Sequence, residues 1–113
     1  MEPTPSAADP VMDLIRSALQ AESLRLQGFR VLLFGSRARG QAQPRSDYDL
    51  GVDGGQPMPL ADFYALADRL EQLPTLLRLD WVDLQRTDPE FRQQALHNHQ
   101  VIWDGTQLAT GEA

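Results

Sequence analysis

The chain has 113 residues, 42% of them hydrophobic, and a formal net charge of -6 at pH 7. That suits one globular domain with a real core and excludes a disordered chain. The acidic balance argues against direct nucleic-acid binding, which rests on Lys and Arg against phosphates, and the absence of Cys excludes disulfides and thiolate metal sites.

Residues 1–8 read as a flexible leader, acidic and proline-rich, unlike a signal peptide. No apolar stretch approaches ~20 residues, so no membrane helix is expected and the cytoplasm is the expected location. Asp9-Pro10 has the form of an N-cap followed by proline at the first helical position. Val11, Leu14, Ile15, Ala18, Leu19 and Glu22 then recur at helical spacing, and Gly28 is a natural stop. Residues 30–34 form a short apolar run that predicts a buried strand ending at Gly35. A second strand is expected over 48–53, with Tyr48, Leu50 and Val52 facing inward and Asp47, Asp49, Gly51 and Asp53 on the other face. Gly54-Gly55-Gln56-Pro57 breaks the chain. Pro59 opens a second helix with Leu60, Phe63, Tyr64, Ala67 and Leu70 on one face. Leu76 to Leu84 reads as a third strand after the turn at Pro74. Asp88-Pro89-Glu90 starts a short helix to about His97, and residues 100–103 form a last strand. One domain is expected over 9–105, α/β or α+β with a small mixed sheet flanked by helices, followed by a flexible tail over 106–113.

The chemistry gathers between the first two strands. Gly35-Ser36, with Arg37 and Arg39 close behind, offers backbone N–H groups, a hydroxyl and guanidinium donors to phosphate oxygens. Ser36 is placed to cap a helical turn through Arg39. Asp47 and Asp49 follow; on a strand, residues two apart share a face, roughly 6–7 Å apart. Two carboxylates so placed suit hard divalent cations that bridge phosphates. Together the two features point to nucleotidyl transfer from a nucleoside triphosphate.

Other motif readings fail on residue identity. The glycine spacing Gly35 to Gly40 fits a P-loop, but Gln41 and Ala42 stand where Lys and Ser or Thr are needed. An EF-hand loop from Asp47 would put Gly51 at an oxygen-ligand position and Val52 at the required glycine. His97 and His99 have no carboxylate at a recognised spacing and read as helix-end residues. Trp81 and Trp103 read as core or interface anchors.

The string Phe34-Gly35-Ser36-Arg37-Ala38-Arg39-Gly40, with Ser46-Asp47-Tyr48-Asp49-Leu50 downstream, places ten residues between Ser36 and Asp47. It resembles the signature of the DNA polymerase β-like nucleotidyltransferases, and in particular the minimal nucleotidyltransferases, among them the MNT antitoxins of HEPN–MNT toxin–antitoxin pairs. The resemblance runs from the first helix to Trp103. Leu79-Asp80-Trp81-Val82-Asp83-Leu84 resembles the family's third-carboxylate strand, with Trp81 in place of an aliphatic residue, and that alignment favours Asp80 over Asp83. Strand alternation puts those two on opposite faces.

The resemblance implies a polymerase β-like fold and AMP transfer from ATP to a hydroxyl, a tyrosine of a partner HEPN toxin, with release of pyrophosphate. It implies that Asp47, Asp49 and Asp80 are catalytic and hold two Mg²⁺ ions. It also implies that Gly35 and Ser36, with Arg37 or Arg39, bind the nucleotide. The alternatives are an antitoxin that neutralises its toxin by binding alone, and a small-molecule nucleotidyltransferase that lacks the extra helical domain of its relatives.

Overall fold

The computed structural model describes residues 9–43 and 45–106; the expected leader, and the expected tail beyond Thr106, lie outside them. The elements follow the expected order: α1 (Pro10–Ala21), β1 (Arg30–Phe34), β2 (Tyr48–Asp53), α2 (Leu60–Glu71), β3 (Leu79–Asp83), a 3₁₀ turn at Leu84–Arg86, α3 (Pro89–His97) and β4 (Gln100–Asp104). The strands form one sheet in the order β3-β2-β1-β4. β1 pairs antiparallel with both neighbours, whereas β2 and β3 run parallel. Antiparallel partners can be joined by a loop, but parallel partners need a crossover, and α2 supplies it. The sheet is therefore mixed, as expected.

Alternation along β1 splits the interior in two. Val31 and Leu33 join the larger core, built with Ile15 and Leu19 of α1 and Leu66 and Leu70 of α2. Leu32 and Phe34 point the other way and pack with Leu84 and Ala95. The helices α1 and α2 thus cover one face of the sheet. The short α3 covers part of the other and leaves the rest open for chemistry.

Local details depart from the sequence reading where packing overrides periodicity. Asp9 does cap α1, accepting from the Met12 amide at 2.9 Å. The helix ends at Ala21, not at Gly28, and a series of turns carries the chain to Gly28, which has φ +86°. This lets Leu26 enter the core while Leu24 points outward. In α2, Leu60 and Tyr64 are exposed and Leu66 is buried, so the buried stripe is rotated from the one expected. The third strand covers only Leu79–Asp83, because Leu76 is wholly exposed and Leu84 begins the 3₁₀ turn. Among the described residues no helix is long and apolar enough to cross a membrane.

Candidate active site

Gly35 is the first residue after β1, and its φ of +76° lies in the left-handed region that favours glycine. The backbone then makes a single tight turn: the Arg39 amide donates to the Gly35 carbonyl at 3.2 Å, and Gln41 to Ser36 at 2.9 Å. The helical turn expected after Ser36 is therefore present. A Cβ on Gly35 would lie 2.2 Å from Asp49 Oδ2. Glycine is required twice here, by its φ and by the carboxylate pressed against it.

The registers bring the acids together. Phe34 lies opposite Asp49 in the β1–β2 ladder, and Asp49 lies beside Asp80 in the β2–β3 ladder. Asp49 and Asp80 are within hydrogen-bonding contact, and Asp47 adds its charge from the exposed end of the loop, just before β2 begins. Burial first, then the charge and hydrogen bond of Asp80 and the charge of Asp47, hold the Asp49 carboxyl above the usual carboxylate range; Arg39 partly offsets this. Asp80 also accepts from Arg78 Nε at 2.9 Å. Residues two apart on a strand share a face, the signal in the sequence that would have paired Arg78 with Asp80.

Asp83 lies on the opposite side of β3, as alternation requires. It is buried, accepts from the Met58 amide at 2.8 Å and from the Gln85 amide at 3.0 Å, and sits 3.5 Å from Arg86. It ties the end of the strand to the loop before α2. Asp53 is likewise occupied, accepting from the Gly55 amide and from Gln85 Nε2. The two arginines diverge. Arg37 donates from Nη2 to the Ser46 carbonyl at 2.8 Å, and its guanidinium carbon stands 3.8 Å from the Tyr48 ring centroid. Arg39 donates to Gln41 Oε1 at 3.2 Å and borders a cavity with Gly35 and Phe34. His99 contacts the Leu96 carbonyl through Nδ1 at 2.9 Å.

Among the described residues, no three carboxylate or imidazole groups stand ready as a metal cage. Asp49 and Asp80 are paired with each other, and Asp47 stands off at the loop. The donor chemistry nonetheless suits a hard cation. All three are oxygen ligands, and the burial and the neighbouring acids that raise the Asp49 carboxyl are both costs of negative charge that a divalent ion offsets.

A glycine-serine turn beside a carboxylate pair on adjoining strands of a mixed sheet defines the nucleotidyltransferase class. The family model "Polymerase beta, Nucleotidyltransferase" matches residues 29–107, and the chain belongs to that family. No curated protein matches the chain. Among solved structures, it is similar to a toxin–antitoxin crystallised with AMP-PNP, at 26% identity and TM-score 0.63, over 89% of this chain and 78% of that one. It is also similar to an MNT antitoxin in complex with a tri-AMPylated HEPN toxin of Shewanella oneidensis, at 23% identity and TM-score 0.58, over 91% and 76% of the two chains. A third, assigned as a minimal nucleotidyltransferase, is 30% identical with TM-score 0.54, over 80% and 92%. The fold is the polymerase β-like nucleotidyltransferase fold, and its neighbours include the MntA antitoxins of MntA–HepT pairs.

Proposed function

We propose that this protein transfers AMP from ATP to a tyrosine hydroxyl of a HEPN-domain toxin and acts as its antitoxin in the cytoplasm. The observation that carries this reading is the Asp49–Asp80 pair held against the Gly35-Ser36 turn. The similar toxin–antitoxin holding AMP-PNP supports a nucleoside triphosphate as substrate, and the similar MNT antitoxin in complex with a tri-AMPylated HEPN toxin supports a HEPN toxin as partner.

Asp47, Asp49 and Asp80 would hold Mg²⁺, two ions in all. Mg²⁺ held there would supply positive charge to offset the negative charge that develops during transfer. Gly35 and Ser36 offer backbone N–H groups, and Ser36 its hydroxyl, to the β and γ phosphates. Arg39, whose charge reaches Asp49, would neutralise phosphate charge. Arg37 shapes the loop by gripping the Ser46 carbonyl and covering Tyr48. Asp80 accepts the proton of the attacking hydroxyl. The nucleophile oxygen bonds to the α-phosphorus, the bond to the bridging oxygen breaks, and pyrophosphate leaves.

Toxin neutralisation separates this reading from binding alone. A variant lacking all three carboxylates should still form the complex with the HEPN partner but fail to silence it. Full silencing by that variant would overturn the catalytic reading and leave an antitoxin that acts by occupancy.

A further inference from the structure

The cavity bordered by Gly35 has no part in the carboxylate chemistry. It has a volume of about 270 Å³ and lies between the end of β1 and α3. Pockets for drug-sized ligands start at roughly 300 Å³, so this one suits a single flat heterocycle better than a whole nucleotide.

Its walls have two characters. Phe34 and Phe91 meet edge to face, ring centroids 5.9 Å apart at 89°. Phe91 is 40% exposed, a large aromatic left open to solvent at the cavity wall. Phe91, Gln94 and Ala95 recur three and four apart, so one side of α3 presents them, and Asn98 joins them from just past the end of the helix. The Gln94 and Asn98 amides each carry two N–H donors and an acceptor oxygen. A heterocyclic base has both a stacking face and an edge of mixed donors and acceptors, whereas a tyrosine ring brings a single hydroxyl.

Position supplies the rest. Gly35 lines the cavity, and the place its Cβ would take is 2.2 Å from Asp49 Oδ2. One residue therefore separates the cavity from the acids. Phosphates at the Gly35-Ser36 turn and a base in the cavity would be neighbours.

We propose that this cavity takes the purine base of the nucleoside triphosphate, with Phe91 stacking on its face and Gln94 and Asn98 pairing with its edge. This rests on the nucleotidyltransferase reading above and adds to it the residues that select the base.

Calorimetric titration with Mg²⁺ tests it, using AMP-PNP and inorganic triphosphate as probes. Phe91→Ala should weaken AMP-PNP binding about tenfold, the usual cost of losing a base-stacking aromatic, and leave inorganic triphosphate binding unchanged. Gln94→Ala and Asn98→Ala, both at exposed positions, should narrow the preference for ATP over CTP and UTP while the melting temperature holds. Equal AMP-PNP binding by wild type and Phe91→Ala would overturn the proposal. So would a parallel loss of inorganic triphosphate binding, or base preference unchanged in both amide variants. Wild-type protein that binds neither probe would instead overturn the nucleotidyltransferase reading itself.

Discussion

Asp49 is half-buried, touches Asp80 and presses against Gly35, so its carboxylate is held where a charge is costly without a cation. Asp49→Asn keeps the shape and removes the charge. It should reduce AMP transfer by at least about 100-fold, given the several kcal/mol a metal contributes to phosphoryl chemistry, with the melting temperature unchanged or raised because like-charge repulsion is relieved. A melt and a transfer assay on the same preparation check both halves. Gly35→Ala should fail differently. The left-handed backbone alone costs a side-chain residue about 1–2 kcal/mol, and the new methyl would drive Asp49 aside. Denaturant midpoint and transfer should both fall, and a Gly35→Ala variant of full stability would contradict this geometry.

The elements that hold the site are fixed from the opposite face of the sheet. Tyr48 faces away from the acids that flank it, as alternation predicts, and donates its hydroxyl to the Asp9 carboxylate at 2.8 Å. That carboxylate also caps α1, so one side chain joins the helix start to the strand carrying Asp49. Asp9→Ala should cost about 1–2 kcal/mol through loss of the cap, read as a lower denaturant midpoint. Burial, with the Asp9 hydrogen bond second, pushes the Tyr48 hydroxyl up to about 12 from its ordinary value of 10.0. A raised value means the folded state favours the protonated form. The contribution is full below pH 10 and lost as pH rises from about 10 to about 12. Tyr48→Phe should flatten that alkaline loss of stability.

Legibility also divides at the level of elements. The two strands around the site were readable because their bounds are local: alternation sets their faces, and Gly35 ends the first. Helix ends and buried stripes were not. Leu26 continues the helical spacing of Leu19 and Glu22, yet the helix ends at Ala21 and turns, not helix, bring Leu26 into the core. Gly35, Ser36, Asp47 and Asp49 could be placed from spacing because one loop spans them. The cavity wall on α3 stayed hidden because Phe91 and Asn98 meet Gly35 only across the fold.

At the scale of the whole molecule, α1 and α2 are linked at their solvent edge by four charges. Glu22 pairs with Arg25 at 3.0 Å and with Arg69 at 2.5 Å, and Arg25 reaches Asp62 at 2.7 Å. The Arg69 hydrogen bond, with help from Arg25, lowers the Glu22 carboxyl below its ordinary value of 4.5 despite a smaller opposing effect of burial. A lowered value means its stabilising contribution is present above 4.5 and lost as pH falls through the folded value. The arginines are about half exposed, so Glu22→Gln should cost under about 1 kcal/mol and less in high salt. A larger, salt-independent loss would contradict a solvent-screened link.

The most direct measurement is the intact mass of a candidate HEPN partner after incubation with this protein, ATP and Mg²⁺. A gain equal to one or more AMP groups, absent with Asp49→Asn, is the predicted result. An unchanged mass in a complex that still forms would contradict AMP transfer to the toxin.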